Sequence, residues 1–384
     1  TPKPPFTISK ETTYLTEPLW EDGYVDYVGA LNKLCREGVT PENNAAVPLW
    51  EAIGPSVIKT EDQEKFFQML GIKPLPTKGD YLVSFDAYLK QIKSADETTN
   101  SATVDQQNEQ DEQFEKALNN PWSEEQYPLV AGWLNANQKP LQKIHEAARR
   151  PKFYSPMISS GKYQHVINIP LDTAQNSREC ARLLMAQAMY DIQRGKIKDA
   201  REDILACHRL ARLEGQGPML VEALVGVAID GMACAGDVAL AQSGKLSPRD
   251  AAEFRLELQK LPPMPKMFEK IDLSERLTYL DCVESIARYG PEAITALTSS
   301  QQKQRPTKDS FSDKSWQSTY YTIDWDTMLK MGNSWYDRVV EICRKPSRTE
   351  RDKDWKKFDD DIKKMGANAT SIKSYVFSVL LTFA

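Results

Sequence analysis

Residues 178–261, RECARLLMAQAMYDIQRGKIKDAREDILACHRLARLEGQGPMLVEALVGVAIDGMACAGDVALAQSGKLSPRDAAEFRLELQKL, decide the fold. Apolar residues recur here at steps of three and four, and Gly195, Gly215, Pro218 and Pro248 cut the run into pieces. Arg178–Gln193 places Ala181, Leu184, Met185, Ala188 and Ile192 on one side, and "RGK" turns the chain. Lys198–Leu213 repeats the pattern with Ala200, Ile204, Cys207 and Ala211. Pro218–Ala241 is apolar nearly all round, the pattern of a helix buried on several sides, so it is the expected centre of the core. Its Gly226, Gly231 and Gly236 allow close backbone approach. A fourth helix follows Ser247-Pro248 and runs to Leu261.

Upstream, helices are expected over Tyr24–Arg36, over 40–54 after Thr40-Pro41-Glu42 with Pro48 kinking or splitting it, and over Thr60–Leu70, closed by Gly71. Tyr81–Ile92 has helical spacing, although "YLVSF" also fits a strand. Residues 94–113 hold one large apolar residue, Val104, and read as a flexible polar linker. Ser123 and Gln126 form a capping box ahead of Tyr127–Leu134, and Pro140–Arg149 follows. Alternation around Tyr163–Ile169 predicts a small β-hairpin near 153–169. Downstream come a helix over Phe268–Tyr289, a polar loop at 297–315, and a strongly amphipathic helix capped by Asp324 with Trp325, Met328, Leu329, Trp335, Tyr336 and Val340 on one stripe. A charged helix presenting Trp355, Phe358, Ile362 and Met365 follows, and the apolar run 375–384 is expected to pack into the core.

These elements give a mainly α fold, an irregular stack of helical hairpins of the α-α superhelix kind with one small β-hairpin. The division expected is an N-terminal helical region (1–93), a linker (94–113) and a main helical domain (114–384) centred on 178–261, the two helical parts being able to form one compact unit. The 384 residues are 41% apolar and 9% aromatic, enough for a proper core. A net charge of −5 speaks against a nucleic-acid partner. Within Pro218–Ala241, Glu222, Asp230 and Asp237 speak against a membrane span, since each charge at the centre of a span costs ~2.5–3.5 kcal/mol. The six cysteines are scattered and read as small buried hydrophobes.

No nucleotide-binding, zinc-protease or serine-hydrolase motif occurs, and three scattered histidines suggest no metal site and no cofactor. The one polar stripe of interest is Arg201, His208 and Arg212. Offsets of seven and eleven residues bring all three to within about 20° of one direction on a helix. They form a candidate anionic-ligand site together with Asp230, a carboxylate in the most apolar helix. The competing reading, and the favoured one, pairs the arginines with Glu202, Asp203 or Glu222 and makes His208 a satisfied half-buried residue. Glu275, Arg276 and Asp281 read as ties between helices. Trp316, Trp325 and Trp335 could form a carbohydrate platform, but the last two fall on the core stripe.

Two resemblances bear on this. Around Gly195, with Ala188 and Ala200 at small inter-helix positions, the hairpin resembles part of a tetratricopeptide repeat; Gln187 and Asp191 stand where that repeat has a Leu and an aromatic. The segments "TYLTEPLWEDGYVDYVGALN", "EGVTPENNAAVPLWEAIGP", "QMLGIKPLP", "KGDY", "DILACHRLARL", "GPMLVEALVGVAI" and "ERLTYLD", spanning about 13–281, resemble a family of uncharacterised planctomycete-type bacterial proteins. That resemblance implies export to an extracytoplasmic location, consistent with a removed signal segment before Thr1. It transfers no catalytic residue. The expected function is a non-enzymatic interaction or structural protein with a protein partner. The alternative is an enzyme or binding protein acting on a glycan or small anionic ligand in a cleft between helices.

Overall fold

The computed structural model describes residues 3–95, 104–159, 163–290, 293 and 323–367. The polar stretch 297–315, Trp316 and the C-terminal apolar run lie outside these. The described chain is mainly helical, with no strand among its residues and only two isolated bridges, Leu19 with Val25 and Asn44 with Lys152. In order the helices are α1 (Tyr27–Cys35), α2 (Ala46–Ile53), α3 (Thr60–Leu70), α4 (Phe85–Ala95), α5 (Val104–Asn119), α6 (Pro128–Ala136), α7 (Gln138–Ala148), α8 (Asp172–Gln193), α9 (Ile197–Glu214), α10 (Leu220–Gln242), α11 (Pro248–Gln259), α12 (Met267–Lys270), α13 (Arg276–Tyr289), α14 (Trp325–Arg344) and α15 (Arg348–Ala367).

Local chemistry accounts for several boundaries. Gly71 takes a left-handed φ of +84° and its N–H closes α3 on Gln68 and Phe67. Ser247 caps α11 by accepting from Asp250 N–H, with Pro248 at the first helical position. The kink expected at Pro48 does not arise. The helix starts only at Ala46, so Pro48 sits in the first turn, where its missing N–H has no acceptor to lose. From 104 onward the polar stretch is helical, as α5. Phe114 stacks on Phe85 at 4.3 Å and meets Trp133 edge-on at 5.2 Å, so one apolar turn at the end of the helix anchors it.

Among the described residues the β-hairpin expected near 153–169 is absent. The strip has apolar residues buried at Phe153, Tyr154, Met157, Val166 and Ile169, and the stretch read as alternating carries a single 3-10 turn, Val166–Asn168, that brings Val166 and Ile169 to the interior together. Side chains take the place of a partner strand. Asn44 receives the Tyr154 N–H (2.9 Å) and donates to the Tyr154 carbonyl (2.8 Å). Asn32, on α1, does the same for Met157 (2.9 and 2.8 Å). Gln216 accepts from Phe153 N–H and Asp281 from Val166 N–H. An asparagine amide presents the same donor and acceptor as a peptide group, so the backbone of Tyr154 and of Met157 is satisfied without a sheet.

Two apolar cores result. The larger draws on α2 to α11. The smaller joins Val25, Tyr27 and Leu31 to α13, α14 and Phe358, so the chain's beginning packs with its later helices. The centre of the larger core is α8, where Cys180, Ala181, Leu183, Leu184, Met185, Ala186, Ala188, Met189 and Ile192 are at most 1% exposed. This corrects the expectation for α10, whose Leu224, Val227 and Val238 are 53%, 45% and 54% exposed. Apolar character all round therefore reflects one face buried against α8 and α9 and one face left free.

The glycines of α10 separate these faces. A Cβ on Gly226 would lie 2.6 Å from the Ala211 carbonyl oxygen, whereas one on Gly231 would meet nothing within 4 Å. Gly226→Ala is expected to destabilise by about 1–3 kcal/mol through a backbone clash. Gly231→Ala is expected to stabilise by up to about 1 kcal/mol through helix propensity. Urea unfolding of both variants in dilute solution checks the opposite signs.

Candidate functional site

The stripe expected on α9 divides in two. Arg201 belongs to a tie between α9 and α11: its guanidinium lies 3.3 Å from Asp250, 3.6 Å from Glu253 and 3.0 Å from Glu257, one acid per turn of α11, with the Phe254 ring at 5.7 Å. Its partners are not those expected from the sequence, because they come from a helix whose packing onto α9 no local spacing announces.

The other three residues do meet. His208 Nδ1 lies 2.6 Å from Asp230 Oδ1, and Arg212 engages the same oxygen. Arg212 also donates to the His208 carbonyl (3.0 Å) and to the Pro262 carbonyl (3.2 Å). Two residues not foreseen complete the cluster. Asp237 Oδ2 lies 3.1 Å from His208 Nε2, and the Cys234 thiol, on the exposed side of α10, has its sulfur within 4.8 Å of ligand atoms on His208 and Asp230. The sequence did carry their signal. Asp230, Cys234 and Asp237 follow one another at four and three residues, which sets all three on one face of α10.

Both imidazole nitrogens of His208 thus face carboxylates. Burial works against its charge, but hydrogen bonds donated to the Asp237 and Asp230 carboxylates outweigh burial and raise its pKa. For Asp230 burial likewise opposes ionisation, and His208 and Arg212 together bring its pKa below the ordinary value. The cluster thus sets two basic side chains, His208 and Arg212, against two carboxyl groups, Asp230 and Asp237. Arg201, His208, Arg212 and Asp230 are all engaged with partners. None of them lines the groove of about 840 Å³ between α1 and α13, where Leu31, Leu34, Met69, Leu273 and Leu277 lie.

A second polar group gathers where the hairpin was expected. Ser285 Oγ is 2.8 Å from His165 Nδ1 and Asp281 Oδ2 is 3.4 Å from the same nitrogen. The residue types are those of a hydrolase triad, but a proton relay needs the serine and the acid on opposite ring nitrogens. Here Nε2 is buried with no partner among the described residues, so the arrangement does not activate Ser285. Trp325 and Trp335 are buried, in keeping with the core stripe. No protein-family model, no curated protein and no solved structure matches this chain.

Proposed function

We propose that this chain is a non-enzymatic helical interaction protein that assembles through the free side of α10, and that the occupant of that side is a second copy of the chain. The observation carrying this reading is the stripe Leu224, Val227, Gly231, Cys234, Val238 and Ala241, all exposed and none charged. Its alternating steps of three and four residues are those of a coiled-coil seam. An apolar strip of this kind left in water marks an interaction site. The pairing of Arg201, His208 and Arg212 with carboxylates argues in the same direction, since it leaves none of these three basic groups free to receive an anionic ligand. The expectation of an extracytoplasmic location rests on the family resemblance.

A second copy is favoured because the stripe is self-complementary about Gly231. Leu224 and Val238 lie seven residues to either side, Val227 and Ala235 four, and Ala228 and Cys234 three. Two α10 helices crossing antiparallel at Gly231 set Leu224 against the partner's Val238 at both ends. Small residues meet in the middle, where the backbone is open. Such a contact repeats under a two-fold axis. α10 also has the length and composition to cross a membrane, 23 residues with an 18-residue stretch at a mean hydropathy of 1.7. Spanning would, however, strip it from α8 and α9 and release Asp230 and Asp237 from their partners.

Light scattering and sedimentation are expected to show a dimer at ~50 µM, as the micromolar affinity of a small seam requires. Leu224→Glu should weaken the dimer by about 100-fold or more, because its charge is buried without a partner. Adding Val238→Lys to the same chain should restore association, since antiparallel pairing joins Glu to Lys twice while parallel pairing joins like to like. A wild-type chain that stays monomeric, or a double variant no better than the single, overturns the reading.

A further inference from the structure

Independently of how the α10 seam is used, we infer that His208, Asp230 and Cys234 form a binding site for a single zinc-class divalent cation, with Asp237 as the group that orients the histidine. Imidazole nitrogen, thiolate sulfur and carboxylate oxygen are the donor set of a borderline ion such as Zn²⁺ rather than of Mg²⁺ or Ca²⁺. The three ligand atoms already lie within 4.8 Å of one another. Tetrahedral zinc holds its ligands roughly 3–4 Å apart, so a rotation of the exposed Cys234 side chain closes the set without moving a helix.

The surroundings have the form that metal-bound histidines require. A ligating imidazole nearly always gives its other N–H to a carboxylate, which fixes the tautomer and the ring plane. Asp237 occupies that place, 3.1 Å from Nε2, and its second oxygen is buried with no partner among the described residues. This leaves Nδ1 for the ion. Without metal, that nitrogen shares a proton with Asp230; the ion replaces this proton and that of the Cys234 thiol. Two protons leave and two positive charges arrive, so the net charge of the cluster is unchanged and Arg212 can stay on Asp230. That matters in a half-buried site, where an uncompensated charge is costly. Three protein ligands leave a fourth coordination position for water.

Arg212 is the built-in competitor. It holds the carboxylate that the ion must share, so it sets the affinity without being a ligand.

The test is a Co²⁺ titration of the full chain under reducing conditions, with Zn²⁺ as displacing ion, on wild type and on Leu224→Glu so that seam occupancy does not decide the result. One equivalent of Co²⁺ is expected to bind with a sulfur-to-cobalt charge-transfer band and the d–d intensity of a tetrahedral site, and Zn²⁺ should abolish both. Cys234→Ser should remove the charge-transfer band, while Cys35→Ser keeps it. Asp237→Asn should keep the band and weaken binding 10–100-fold, and Arg212→Ala should tighten it. Cys234 points outward, so its variant should melt with the metal-free wild type, which separates loss of a ligand from loss of fold. Absence of the band in wild type, or its survival in Cys234→Ser, overturns the proposal.

Discussion

Arg276→Ala is expected to lower the unfolding free energy by about 3–5 kcal/mol, the range found when one member of a buried ion pair is deleted. The side chain is 1% exposed. It donates to Asp272 (2.6 Å), Asp337 (2.7 Å) and both the carbonyl and the side-chain oxygen of Asn333 (2.9 and 3.2 Å). Asn333 in turn donates to the carbonyls of Glu11 and Thr12 (3.0 and 2.8 Å). One guanidinium thereby joins α13, α14 and the N-terminal segment, with Tyr14 stacked 4.6 Å from it. The backbone is shaped to receive it. A π turn over Ile271–Glu275 shifts the Arg276 N–H onto Ile271 and Leu273. The carbonyl of Asp272, its normal α-helical acceptor, is then free for Arg276 Nε (3.2 Å). Arg276→Lys should also destabilise, since an ammonium group cannot reach five acceptors in a planar fork. Asp337→Ala should cost under about 1 kcal/mol, because that carboxylate is 65% exposed. Urea titrations of the three variants give the order; an Arg276→Ala chain as stable as wild type would show that the node carries no net stability.

This node also marks how far the sequence could be read. Arg276 is recognisable as a tie because an arginine within an apolar stripe must find acceptors. Its partners lie up to 61 residues away, and a π turn has no propensity signature. The helices α3, α9 and α14 were legible because a capping residue, a left-handed Gly or an amphipathic stripe is a local property. The strip at 153–169 was misread for the opposite reason. A buried non-helical stretch looks the same in sequence whether a partner strand or two asparagines satisfy its backbone, and Asn32 and Asn44 lie more than a hundred residues away. Of the candidate site, His208 and Arg212 share a face of α9, so their proximity followed from helix geometry. The split from Arg201, and the exposure of α10, depended on where α11 and α8 pack.

The other large effect is on pH. Stability is expected to fall as pH rises from about 4.5 to 8, with Glu284 as a principal cause. Its carboxyl is buried beside Tyr27, Asp281 and the Val25 N–H, and burial, with the nearby Asp281 charge adding to it, pushes its pKa up to about 8 against the hydrogen bonds that favour ionisation. The hydrogen-bond count agrees. The Tyr27 hydroxyl lies 2.5 Å from Glu284 and 3.0 Å from the Thr13 carbonyl, and its single hydrogen cannot serve both. A protonated Glu284 donating to Tyr27, with Tyr27 donating to Thr13, satisfies all three. Above the unfolded pKa the unfolded chain releases this proton while the folded chain keeps it, so stability declines with slope 2.303RT until the folded pKa is passed. Over that interval Glu284 alone accounts for on the order of 4 kcal/mol. Glu214 and Glu222, a second pair of buried carboxyls, and Asp203, at about 6, act with the same sign. Glu284→Gln should be near neutral at pH 4.5, since its amide can donate to Tyr27 and accept from Val25 as the protonated acid does. At pH 8.5 it should be more stable than wild type by a few kcal/mol. Urea midpoints at the two pH values separate the outcomes. A variant destabilised equally at both would mean that Glu284 is ionised in the folded protein, and that the charge itself holds Tyr27 and Val25 in place.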